Sequence, residues 1–201
     1  LPIWPEYLNP RDLSNPVRSL DHVHKELQRQ AKLVEIMFAK TLRLMGRYEA
    51  GRDRDISYVE MVVNNLRAQI VRFLWKVSGQ DLSRDLSRRV FAYTAMAGDI
   101  RSIGNHIRSI SALAVEQAQR NITFSACGER EFLEILVLVE KNLTDASALI
   151  GAFDAETVKH VVRREEEIDA RVKEALDSHL SRFHLRECSP EAGPFFVEIL
   201  G

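Results

Sequence analysis

Apolar positions recur every three or four residues over most of this chain, and the runs are long. The first takes in Leu20, Val23, Leu27, Ala31, Val34, Phe38, Leu42 and Met45. A second runs through Val59, Val62, Leu66, Ile70, Phe73 and Val77, and a third through Val90, Tyr93, Ala97, Ile100, Ile103, Ile107, Ile110 and Ala114. A fourth carries Phe132, Ile135, Val139, Leu143, Ala146 and Ile150. A fifth carries Val158, Val161, Ile168, Val172, Leu176, Leu180 and Phe183. Such steps put the apolar side chains on one face of an α-helix. No segment alternates as a strand does, and no Asn-Gly hairpin turn is present.

The punctuation agrees with this pattern. All six prolines sit at the ends, at positions 2, 5, 10, 16, 190 and 194, which leaves the interior free for long helices. Asn15-Pro16 predicts the first helix start, a capping side chain followed by proline at the first helical position. That helix should stop near Gly46. The loop Tyr48-Glu49-Ala50-Gly51 leads to a second helix from about Asp53 to Gly79. Asp81 or Ser83 begins a third, running to about Gln119. The next break is expected at Cys127-Gly128. The fourth helix closes at Gly151, the fifth begins near Asp154 as cap, and Ser189-Pro190 opens a sixth. Residues 1–13 read as an extended, proline-punctuated linker with Trp4 and Tyr7 as its anchors.

The helices fall into two sets of three. Glu26-Leu27 aligns with Glu131-Phe132, and Val34-Glu35 with Val139-Glu140, both at a shift of 105 residues. Leu66, Ile70 and Leu74 align with Val172, Leu176 and Leu180, Ser83 with Ser189, and Val90 with Phe196. A near-constant shift is the mark of an internal repeat. The division expected is a linker at 1–14, a first three-helix repeat at 15–120 and an incomplete second repeat at 121–201. On that reading the counterpart of residues 99–106 falls just past Gly201. The chain opens on Leu1 rather than Met, which reads as an excised segment or a processed product.

Composition changes this picture little. Hydrophobic residues are 45% and charged residues 28%, enough to bury a sizeable core. The formal net charge of -1 offers no basic excess for nucleic acid, so no nucleic-acid partner is expected. The longest apolar string, Ile135 to Val139, lies between Glu134 and Glu140 and is far too short to span a bilayer. Cys127 and Cys188 have neither metal-ligand spacing nor a disulfide framework, and read as unpaired thiols.

The most informative segment is Asp99-Ile100-Arg101-Ser102-Ile103-Gly104-Asn105-His106, in the middle of the third helix. Arg101 and Asn105 lie one turn apart beside the apolar stripe. The order resembles the D-x-E-R-I-G-D-H segment of PhoU domains, helical proteins of bacterial phosphate regulation. The resemblance implies an all-α, elongated bundle of two three-helix repeats, here with the last helix cut short. A narrower likeness adds detail. Pro5-Glu6-Tyr7-Leu8-Asn9, with Pro16 and Leu20, is similar to the linker that joins the membrane part of bacterial sodium/phosphate cotransporters to their cytoplasmic PhoU-like tail. Val63-Asn64-Asn65-Leu66 with Ile70, Phe73 and Leu74, followed by the turn from Ser78 to Ser83, looks like that tail's second helix.

In the family, the Glu and the last Asp of the motif are carboxylates that help to hold a metal cluster. Here Arg101 and Asn105 stand in their places, Ser102 replaces the Arg, and Asn64 stands where an Asp is common. Hard cations favour anionic oxygen donors, and an arginine repels a cation and cannot ligate it. No metal cluster and no cofactor is therefore expected at Asp99, Arg101, Ser102, Gly104, Asn105 and His106. Arg101 should instead pair with a carboxylate on a neighbouring helix, Asp169 or Glu165.

Other tempting features have plainer readings. His22 and His24 point roughly 200° apart on a helix and cannot chelate one ion together. His106 reads as a hydrogen-bonding residue at the helix surface. His160, His179 and His184 have no matched acidic pair. Arg163-Arg164-Glu165-Glu166-Glu167 reads as a solvated face with opposite charges at helical spacing. Gly98 and Gly104 lack the lysine and the strand of a phosphate loop, and suit close helix packing. No Ser-His-Asp or Cys-His arrangement appears, nor an inward E-x-x-H pair, so no enzyme activity is expected.

The resemblance implies a non-catalytic cytoplasmic domain, regulatory or accessory to a sodium-dependent phosphate transporter. Its partner would be the transporter part of the same polypeptide or a transporter subunit, with a homodimer as a further association. Its place would be the cytoplasmic face of the inner membrane. The alternative is a free-standing PhoU-like adaptor that contacts a transporter or a sensor kinase.

Overall fold

A computed structural model describes residues 2–201, and Leu1 lies outside the described residues. Six α-helices follow a short 3-10 turn at Pro10–Ser14: α1 (Pro16–Gly46), α2 (Arg52–Ser78), α3 (Arg84–Gln119), α4 (Ala126–Gly151), α5 (Ala155–His184) and α6 (Ala192–Leu200). Among the described residues there is no strand. The fold is all-α.

The helix starts follow local chemistry. The side chains of Asn15, Ser83, Ser125 and Asp154 each accept a hydrogen bond from the backbone N–H three residues on. That satisfies donors the helix itself cannot. The expected break at Cys127-Gly128 is corrected, because Ser125 caps α4 and both residues lie in its first turn. Gly128 is there for packing, since a Cβ on it would lie 3.4 Å from the Arg182 guanidinium and 3.5 Å from the Phe196 ring. Gly51 does serve as a turn residue, at φ 92° just before α2.

Helices α1, α2 and α3 pack against one another in a closed three-helix arrangement, and α4 lies against the outer side of α1. Leu20, Leu27, Met37, Ile56, Leu66, Ile70 and Leu74 are fully buried between the first three helices. Helices α4 and α5 form an antiparallel pair, with α6 against α5. Phe124, in the loop after α3, sits 5.0 Å from Phe196 of α6 and 6.2 Å from Phe132 of α4, centroid to centroid. These rings close one end of the α4–α5 pair. Toward the other end, no residue of α4 beyond Leu136 and none of α5 before Ala175 is buried.

Residues 2–14 are fastened differently from the expectation. Trp4 and Tyr7 are exposed and anchor nothing in the core. The backbone is held instead by buried polar groups of α1. The Glu26 carboxylate accepts from the N–H groups of Glu6 and Tyr7, each at 2.9 Å, and from Arg29 at 2.6 Å. Arg29 in turn donates to the carbonyls of Pro2 and Trp4. Asn65 of α2 donates to the Ile3 carbonyl, and Gln80 to that of Leu13. Glu26 is wholly buried, and such a carboxylate needs several donors to offset its lost hydration.

Candidate functional site

The segment Asp99–His106 lies midway along α3, and the helix divides its side chains among three directions. Gly104 faces the core, where a Cβ would meet Val63, Val34 and Met37 at 3.6–3.8 Å. Arg101 and Asn105 sit on the side of α2. Asp99 and His106 are both exposed and seven residues apart, so they share a different, outward face. Ser102 is exposed, and its hydroxyl donates to the Gly98 carbonyl one turn back at 3.1 Å. The six positions therefore do not converge.

The contact that does form is across the α2–α3 seam. Arg101 Nε donates to Asn64 Oδ1 at 3.0 Å. One step further along, Arg108 of α3 lies 3.7 Å from the Glu60 carboxylate and donates to Ser111 Oγ at 3.0 Å. The expected pairing of Arg101 with Asp169 or Glu165 is thus corrected. Both acids are exposed on α5, and α5 packs on α4 and α6 rather than on α3. The amide of Asn64 takes the role assigned to a carboxylate.

Beneath this seam lies a group that the apolar pattern does not reveal. Gln30 of α1 is wholly buried, and its amide donates to the carbonyls of Val63 at 3.2 Å and Ala97 at 3.3 Å. One polar side chain so bridges all three helices directly below the motif. The sign of it in the sequence is slight: Gln30 lies between Leu27, Ala31 and Val34 on the core side of the helix.

The donor set does not suit a family-type metal cluster. The seam offers two amides, two guanidiniums and one carboxylate, Glu60, which already faces Arg108. Among the described residues no group of three or more His, Cys, Asp and Glu is placed to hold a metal ion. His22 and His24 diverge as their spacing requires. His22 Nδ1 lies 3.1 Å from Asp12, whereas His24 reaches the Ile150 carbonyl of α4 and stacks on Tyr93.

A second polar cluster joins α4 to α5. Arg182, itself buried, donates through Nη2 to Glu131 Oε2 at 2.7 Å and through Nη1 to Glu131 Oε1 at 3.1 Å. Such a bidentate pair fixes both partners. Arg182 also donates to Ser178 and Cys127. Burial pushes the Glu131 carboxyl up, but the hydrogen bonds from Arg182 and Ser178 outweigh it and hold it below the usual carboxylate range. His179 stacks on Phe196 at 4.4 Å, and burial, aided by the Arg182 charge, draws its pKa down. Of the run 163–167, Arg164 alone turns inward, to Asn142 and Asp145 of α4.

Residues 27–114 match the family model described as the PhoU domain. This part of the chain is similar to the PhoU domain. It takes in α1 from Leu27, all of α2, and α3 as far as Ala114, and so contains Asn64 and the whole segment 99–106. No curated protein and no solved structure matches the chain. At Asn64, Arg101 and Asn105 the matched region carries two amides and a guanidinium where the resemblance implies carboxylates. No helix among the described residues is long and apolar enough to cross a membrane.

Proposed function

We propose that this chain is a non-catalytic regulatory or accessory domain of a sodium-dependent phosphate transporter, working by protein contact at the cytoplasmic face of the inner membrane. The observation that carries the reading is the Arg101–Asn64 hydrogen bond at the PhoU motif. A guanidinium oriented by an amide presents donors to a partner's carboxylates or carbonyls, where paired acids would present a cation. We further read α4–α6 as a second, related helical unit. The seating of residues 2–14 on α1 and α2 favours a domain held at a fixed angle through that segment.

The parent gene gives the first test. Long apolar spans encoded immediately before Leu1 support the fused form, and a start codon there with nothing upstream defeats it. The second test is transport. Deleting this domain, or introducing Arg101→Glu, is expected to change sodium-dependent phosphate uptake while the transporter remains at its normal level. Uptake unaltered by both changes contradicts the proposal.

A further inference from the structure

Helix α2 has an outer face that its core role does not explain. Met61, Ala68 and Trp75 are spaced by seven, so they lie in one line along the helix, and all three are exposed. Trp75 is 69% exposed, and Phe91 of α3 is 77% exposed. Both lie toward the same end of the α2–α3 pair. Trp75 lies one turn from the end of α2, Phe91 two turns into α3, and the connection between them is short. Asn64 is three turns from Trp75 on the same side of α2, and its contact with Arg101 fixes the antiparallel register that puts Phe91 at the level of Trp75.

A charge pattern surrounds the rings. Arg72 and Lys76 flank Trp75 on α2, and Arg84 lies two turns from Phe91 on the same side of α3. All three cations are exposed, and among the described residues none forms an ion pair. Arg88 is answered by Asp85 at 3.6 Å, which leaves Asp81 as the local acid against three free cations. The chain's other tryptophan, Trp4, is also exposed, at 67%, and is held near this helix by the bond from Asn65 to the adjacent Ile3 carbonyl.

Large aromatic rings are ordinarily placed inside a fold, and single exposed ones need no explanation. Two of them at one level on adjacent helices, one in line with a methionine and both accompanied by unpaired cations, are a different matter. Tryptophan and phenylalanine insert at the headgroup level of a bilayer, while arginine and lysine meet anionic headgroups. We propose that the outer face of α2, with Trp75 and Phe91 as inserting rings and Arg72, Lys76 and Arg84 as headgroup contacts, docks this domain on an anionic lipid surface. This goes beyond the transporter reading, because it concerns lipid and not protein, and it can fail while that reading stands.

The test uses the full chain and vesicles of phosphatidylcholine with about 30% phosphatidylglycerol, against pure phosphatidylcholine. The chain is expected to sediment with the anionic vesicles and not with the neutral ones. Trp75→Ala with Phe91→Ala should weaken binding at least about tenfold. Each of Arg72→Gln, Lys76→Gln and Arg84→Gln should weaken it about fivefold. All these side chains are exposed, so the melting temperature should hold, which separates loss of binding from loss of fold. In a Trp4→Phe variant the remaining Trp75 emission should shift to the blue on anionic vesicles. Equal sedimentation with both vesicle types, an unshifted Trp75 emission, or aromatic variants that bind like the parent would each overturn the inference. Capture of a transporter that depends on Trp75 and Phe91, without vesicle binding, would also overturn it.

Discussion

The α1–α3 bundle and the α4–α5 pair are built from helices of similar length and similar apolar spacing, yet they bury very different amounts. Helix α1 alone contributes thirteen buried residues, whereas α5, one residue shorter, contributes three: Ala175, His179 and Arg182. The difference is the third helix. Along α1 and α2 runs α3, of 36 residues, whereas the α4–α5 pair has α6, of nine, and α1 covers α4 but not α5. Val158, Val161, Ile168 and Val172 share one helix face as Val59, Val62, Leu66 and Ile70 do, with Arg164 in the turn between Val161 and Ile168, but stay half-buried. An amphipathic stripe is a capacity for burial, and a third surface is needed to realise it.

Hydrogen exchange should make the contrast largest. Amides around Leu66 should exchange only with global unfolding, and those of residues 142–150 and 158–172 at least about a thousandfold faster. Equal protection in the two regions would remove the distinction. Truncation should follow the same line. Leu66→Ala is expected to cost about 3–4 kcal/mol in urea unfolding, and Val137→Ala, on the open side of α4, under about 0.5 kcal/mol.

The two regions also differ in how they use an acid, wholly buried Glu26 in one and half-buried Glu131 in the other. Glu26 takes two backbone N–H groups and Arg29, and so fastens residues 2–14. Glu131 takes the fork of Arg182, and so fastens α5 to α4. Glu131→Gln should cost about 2–3 kcal/mol, because it leaves the buried guanidinium of Arg182 without its counter-charge. The loss should appear in the exchange of α5 and α6 before that of α2.

The smallest of these effects is set by pH. The folded pKa of His179 lies below its ordinary value of 6.5, so the unfolded chain binds the proton more readily. Its contribution is present above about pH 6.5 and is lost as pH falls through the folded value. A melting temperature that drops between pH 7 and pH 5.5, with the drop reduced in His179→Phe, is the expected result. An identical drop in that variant would assign the acid sensitivity elsewhere.

Much of this architecture is legible in the residues themselves. Asn15-Pro16, Gly46, Gly79, Gly151 and Asp154 mark helix ends because their conformational preferences are local, and α1 runs from Pro16 to Gly46 as the pattern predicts. What is not legible depends on tertiary partners. Gly128 resembles a breaker, but the pressure of Arg182 and Phe196 that explains it comes from residues over fifty positions away. Gln30 and Glu26 are polar by type and wholly buried in fact, because each finds its donors or acceptors on other segments. Arg101 meets an amide of α2 and not an acid of α5, a choice decided by which helices pack together.

The central claim is that this PhoU-like chain keeps an all-helical frame while its motif presents Arg101, Asn64 and Asn105 where a cation site needs carboxylates. Metal analysis of the purified chain, after equilibration with manganese and iron salts and removal of the excess, tests it most directly. The account predicts metal well below one ion per chain, unchanged by Asp99→Ala. One or more tightly held ions per chain, lost in that variant, would contradict it.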